Sequence, residues 1–248
     1  SPKLVFDYYH HMGLELKVCG VNMDFAPVCD ALTNVHNTVI GDRAFSTDLN
    51  ENEKYISAAL RGLITSGIIS CAKHLPGHGR SKKDSHTEKV ILKITQEELN
   101  QEMQSFKRAA KSKVPTMMVS HMIVDILDNE LPCSLSPKAM SYFKEELNFK
   151  GLFISDDMDM AAINDFFEPG EALRLAAQAG CHLIIYRTIN LAEKALDSFE
   201  SSEMAIDPAF LKNQIKEINQ LKDVWLKDYK VPRVADIQGV LPMELKFT

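Results

Sequence analysis

The chain has 248 residues, 45% hydrophobic and 25% charged, the composition of an ordinary soluble globular protein. A formal net charge of −6 without a long basic run argues against binding nucleic acid or an anionic membrane surface. No apolar stretch approaches the ~20 residues of a membrane-spanning helix, and the length suits one large α/β domain or two small ones.

Ser1-Pro2 can cap a first helix carrying Leu4, Val5, Tyr8 and Met12. GVNMDFAPV (20–28) reads as a strand, and a long loop, about 29–48, follows it with IGDRAF inside. Tyr55, Ile56, Ala59, Leu60 and Leu63 repeat at helical spacing within 51–66. IISCAKH (68–74) reads as a buried strand leading into the polar segment KHLPGHGRSKKDSH (73–86). Thr95 with Glu98 forms a capping-box pattern that opens a helix to about Lys111. PTMMVSHMIV (115–124) is a strand and its end, and Ser136-Pro137 opens a helix to about Leu147. GLFISDD (151–157) is a strand that ends in carboxylates. A helix over 169–179 stops at Gly180, CHLIIY (181–186) is a strand, helices span 191–203 and 208–229, and the tail after Pro232 is irregular.

This alternation predicts a parallel sheet with helices outside it. Polar clusters recur just past the strands: Asp30 and Arg43, then Lys73 to His86, then His121, then Asp156-Asp157. A (β/α)8 barrel and an open doubly wound sheet both place their sites at that edge. Neither GxGxxG nor GxxxxGK[ST] occurs, so nucleotide phosphate binding lacks its usual support. Five strands are convincing where a closed barrel needs eight, and weak ones near 38–41 or 158–163 would not fill the deficit. Either the sheet is open or part of the barrel is missing. Cys19, Cys29, Cys71, Cys133 and Cys181 lie far apart without a CxxC pair. Buried free thiols and a reducing, cytoplasmic compartment fit, while a periplasmic or secreted location stays open because the chain begins without Met.

Three groups of residues can carry chemistry. His74 and His78 are spaced as helical metal ligands, but Pro76 and Gly77 between them oppose a helix, the neighbouring lysines and Arg80 repel a cation, and no HExxH occurs. A structural turn and a functional loop remain, and a connection from about 75 to 94 is long enough to favour function. Of Asp156 and Asp157, one carboxylate faces a pocket while the other is held outside it, or both cap the next helix, a task open to Asp159 as well. Arg43 is either a site residue or a surface cation paired with Asp42.

FAPVCD (25–30), IGDRAF (40–45), KHLPGHG (73–79), DSH (84–86) and SDDMDM (155–160) stand in the order and rough spacing of family 3 glycoside hydrolases. The chain most resembles the β-N-acetylglucosaminidase branch of peptidoglycan recycling, over about residues 5 to 190. Any one motif is weak, and five in register are strong. The resemblance implies a (β/α)8 TIM-barrel-like catalytic domain over 1–230, with 231–248 as a tail. It implies a retaining exo-β-N-acetylhexosaminidase that needs no cofactor and no metal and acts on GlcNAc-containing muropeptides or chitooligosaccharides. Asp156 matches the nucleophile, His86 the general acid/base, and Asp84 the carboxylate that orients His86. Arg43, Lys73 and His74 match residues that bind sugar hydroxyls. An unperturbed histidine has a pKa of ~6.5 and can trade protons near neutrality. Residues two apart in an extended loop share a side, so Asp84 can reach His86. Gly77 and Gly79 are expected to hinge the loop, and His78 to structure it. His121 reads as a hydrogen-bonded residue at a strand end.

The family's D-x-E-G-G-type motif is absent, and two strands with their helices are expected to be missing at the N-terminus. A preceding segment or a second chain would then complete the barrel. The rival readings are a family 3 β-glucosidase, opposed by the DSH segment, a phosphorolytic enzyme, and a noncatalytic sugar-binding fragment.

Overall fold

The computed structural model describes residues 1–81, 90–200 and 206–232. Along these the chain forms α1 (Pro2–Val18), β1 (Met23–Asp24), α2 (Leu49–Ser66), β2 (Ile69–Leu75), β3 (Ile91–Leu92), α3 (Gln96–Glu102), α4 (Gln104–Lys111), β4 (Thr116–Val119), β5 (Ile123–Val124), α5 (Pro137–Leu147), β6 (Leu152–Asp157), α6 (Ala161–Asn164), α7 (Pro169–Ala179), β7 (Leu183–Ile185), α8 (Ile189–Glu200) and α9 (Pro208–Trp225). Short 3-10 turns lie at Gly41–Arg43 and Cys133–Leu135.

Local chemistry sets several boundaries. Asp48 caps α2 by accepting from the Glu51 amide, and Gly67, at φ +87°, ends it. Thr95 and Glu98 form the expected capping box on α3. The helix read as continuous to Lys111 breaks at Met103 into α3 and α4. Gly180 ends α7 at φ +113°.

Five strands form one parallel sheet in the order β1-β2-β4-β6-β7, each successive pair joined through helices. The result is a (β/α)8-like half-barrel, with short edge strands at β1 and β7. Ala72, Met117 and Phe153 are register neighbours on the face packed against helices. Cys71, Met118 and Ile154 lie on the other face with the partly buried Met23, Leu183 and Ile185. Phe106 and Phe143, both fully buried, fill the larger core on the helical side.

The structure corrects several boundaries. The strand expected over 20–28 is regular only at Met23–Asp24, with one further bridge from Val28 to Lys73. The stretch 115–124 divides between two sheets, because β5 leaves the main sheet and pairs in parallel with β3. Residues 161–164 are helical, and 41–43 form a 3-10 turn, so neither supplies a strand there. Four cysteines are buried free thiols as expected, while Cys19 is exposed.

α1 lies against α2 at very short range. A Cβ on Gly62 would fall 2.7 Å from the Phe6 carbonyl and 2.8 Å from the His10 nitrogen. Backbone cannot retreat as a side-chain tip can, so Gly62→Val should destabilise the protein by about 1–3 kcal/mol in urea unfolding. An unchanged midpoint would contradict this close approach.

Candidate active site

The polar residues gather where the strands end. β2 runs into His74 and Leu75, β4 leads to His121, and β6 finishes with Asp156 and Asp157. Asp30 lies after the Val28 bridge and is fully buried. Its Oδ2 accepts from the His74 amide at 3.1 Å and lies 2.8 Å from His74 Nδ1, while its Oδ1 accepts from the His78 amide at 2.7 Å. A carboxylate can only accept, so His74 holds its proton on Nδ1 toward Asp30. Burial alone would push Asp30 upward. The His74 charge and hydrogen bond, with the His78 amide, outweigh it and hold the pKa below the ordinary carboxylate range.

The turn after His74 is a clamp. Glu102, also buried, accepts from Thr33 Oγ1 at 2.8 Å and from Arg80 Nε at 3.2 Å. Arg80 also reaches Glu98 and Gln101, each at 3.2 Å. Asn37 Nδ2 donates to the carbonyls of His78 and Gly79 at 2.7 and 3.2 Å. Asn34 donates from its amide to the Gly79 carbonyl and from its side chain to the Ser81 carbonyl. Burial raises the Glu102 pKa despite Thr33 and Arg80.

The two glycines expected to hinge the loop stand in close contact with their surroundings, and most of that loop lies outside the described residues. A Cβ on Gly79 would lie 1.7 Å from the Ala31 carbonyl oxygen, and one on Gly77 would lie 2.8 Å from Glu102 Cβ. These glycines let backbone and side chains approach the turn, and residues 76–81 are mostly buried. His78 belongs to the same fixed structure, its ring edge-on to that of His74 with centroids 6.4 Å apart. Burial lowers its pKa, against the opposing charge of Asp30.

At the end of β6, Asp156 Oδ1 accepts from the Asp157 amide at 2.8 Å. Asp157 Oδ1 accepts from the amides of Asp159 and Arg187, at 3.0 and 3.2 Å. The capping alternative is not realised, since α6 has Met160 at its N-cap and no side-chain cap. Both carboxylates thus accept backbone amides, Asp157 from two and Asp156 from its neighbour. Burial lowers the pKa of His121, fully buried beside the β6 end, against the opposing charge of Asp156.

Lys73, partly buried on β2, acts electrostatically on Asp24 and the buried thiols of Cys29 and Cys71. Arg43 is exposed, and its guanidinium donates to the Val39 carbonyl at 2.7 and 3.1 Å, not to Asp42. It lines a groove with Tyr8, Tyr9 and Phe45, and its hydrogen bonds do not join it to His74 or Asp156. Asp84 and His86 lie outside the described residues. Among the described residues, no group of three His, Cys, Asp or Glu side chains is placed to hold a metal ion. The sequence placed Asp30 past a strand without giving it a role, and it did not mark the supporting groups Asn34, Asn37 and Glu102.

Residues 1–216 match the glycosyl hydrolase family 3 N terminal domain. The β-hexosaminidase LpqI of Mycobacterium tuberculosis is 31% identical over 204 residues, covering 80% of this chain and 53% of the relative. A β-hexosaminidase of Nitrosomonas eutropha is 31% identical over 205 residues, covering 82% and 58%. The chain thus spans little more than half the length of these relatives. A solved family 3 β-N-acetylglucosaminidase from Paenibacillus sp. superimposes with a TM-score of 0.88 at 27% identity, over 94% of this chain and 46% of that one.

Asp30 supplies the pH test of this arrangement. A carboxylate whose folded pKa is depressed contributes stability above its unfolded value of 3.8, and loses it as pH falls through the folded value. Asp30→Asn should therefore cost about 3–5 kcal/mol near neutrality, the scale for breaking a buried charged pair. The gap to wild type should narrow on unfolding in acid below that range. An equal gap at both pH values would contradict the role given to the charge.

Proposed function

Because the chain belongs to glycoside hydrolase family 3, we propose that it acts as a retaining exo-β-N-acetylhexosaminidase on terminal β-linked GlcNAc of muropeptides or chitooligosaccharides. The observation that carries this reading is Asp156, at the C-terminal end of β6, with Oδ1 fixed by the next amide. The names of the relatives, β-hexosaminidases and a β-N-acetylglucosaminidase, support the choice of sugar.

In this mechanism Asp156 attacks the anomeric carbon and the bond to the leaving oxygen breaks. That oxygen takes its proton from the His86 imidazolium, which Asp84 orients. Water then attacks the glycosyl-enzyme, His86 accepts its proton, and the bond to Asp156 breaks. Lys73, His74 and Arg43 bind ring hydroxyls. Asp30 fixes the His74 ring, so a hydroxyl meets Nε2 in a set direction at little ordering cost. A further segment or second chain supplying the remaining strands would cover the open sheet edges.

Asp156→Ala should abolish turnover of an aryl N-acetyl-β-glucosaminide, and full activity would sink the assignment. His86→Ala should slow substrates with poor leaving groups far more than those with good ones, since acid assistance matters most for the former. Equal losses would remove its acid role. Faster turnover of the matching β-glucoside would favour the glucosidase reading.

A further inference from the structure

Building on the proposed role of Asp156, we infer that His121 is a positioning residue that fixes the backbone presenting the nucleophile. The ring is fully buried just past β4, and both of its nitrogens are engaged. Nε2 lies 3.0 Å from the Asp157 carbonyl oxygen, and Nδ1 lies 2.7 Å from Ser134 Oγ. A carbonyl only accepts, so Nε2 carries the proton. Burial lowers the pKa of His121 against the pull of the Asp156 charge, which favours the neutral ring. Nδ1 then accepts from the Ser134 hydroxyl. A ring with both nitrogens spent in this way does not carry protons to substrate.

What the ring does is hold Asp157. The Asp157 amide donates to Asp156 Oδ1 at 2.8 Å, and its side chain is tied to the amides of Asp159 and Arg187. Its carbonyl is the remaining polar group, and His121 takes it. With the amide, side chain and carbonyl all bonded, the residue has no freedom to turn the amide away from Asp156. Ser134 gives the ring a firm base. It lies in the Cys133–Leu135 turn, its amide donates to the Ser120 carbonyl at 3.3 Å, and its own carbonyl accepts from Cys181 Sγ at 3.5 Å. The path Ser134–His121–Asp157–Asp156 thus ties the loop after β4 to the carboxylate on β6.

A misplaced nucleophile loses rate before it loses substrate, and an error near 1 Å can cost about 10²-fold. In the intact protein, His121→Ala should lower kcat on an aryl N-acetyl-β-glucosaminide by about 10²-fold with KM changed less than about threefold. His121→Gln, whose amide can still donate to the Asp157 carbonyl and accept from Ser134, should recover most of that loss. Ser134→Ala, which leaves the ring in place but removes its base, should lower kcat several-fold at constant KM. Wild-type kcat in a folded His121→Ala protein would overturn the inference. So would a loss confined to thermal stability or KM, or, where His121→Ala fails to fold, unchanged kcat in Ser134→Ala. Asp156→Ala assayed in parallel separates the two claims. If it stays active, the nucleophile assignment falls and this inference with it. If it is inactive while His121→Ala is normal, the inference alone falls.

Discussion

The Asp30 carboxylate, wholly out of water, takes hydrogen bonds from the His74 amide, the His74 ring and the His78 amide, and the geometry of the site rests on that anchor. A buried ion with too few partners would be several kcal/mol uphill. Here the partners come from one short turn, so the charge that must be satisfied is also what shapes the turn. Glu102 faces the turn from the helical side and holds Arg80 and Thr33. Two buried carboxylates thereby fix residues 74–80, leaving the glycines to serve close approach.

A second fixed unit stands at the end of β6. Adjacent carboxylates on one strand point to opposite sides, and the protein treats them differently. Asp157 is bound to backbone amides and serves as a bracket, while its own amide steadies Asp156. Preorganisation of this kind removes the cost of arranging groups at the moment of reaction. The segment bearing Asp84 and His86 follows directly from the clamped turn, so a rigid platform precedes the residues proposed for proton transfer.

The helices and longer strands were legible because caps and apolar spacing are local signals. Thr95 with Glu98 and the glycine after α7 act as their residue types predict. The paired two-residue strands β3 and β5 were not legible, since two residues carry no periodicity. At the site, the motifs contained Asp156, Lys73 and His74 together with Asp30, His78 and Asp157, but not the contacts that join them. Asp30 meets its partners 44 and 48 residues away. Glu102 sits in the polar run QEELNQE, and nothing in that local composition marks it as a buried acid. Glycine in a sequence signals an absent side chain. Whether the absence serves motion or contact is decided by neighbours such as the Ala31 carbonyl, which lie far off in the chain.

The central claim is that Asp156 forms a covalent bond to the sugar. A fluorinated N-acetylglucosaminyl donor with a good leaving group, which forms the glycosyl-enzyme faster than water can release it, tests this directly. After a short incubation of the intact protein, digestion and peptide mass spectrometry should find one glycosyl unit on Asp156. A label on Asp157, or turnover of the donor with no protein adduct at any time, would contradict the account.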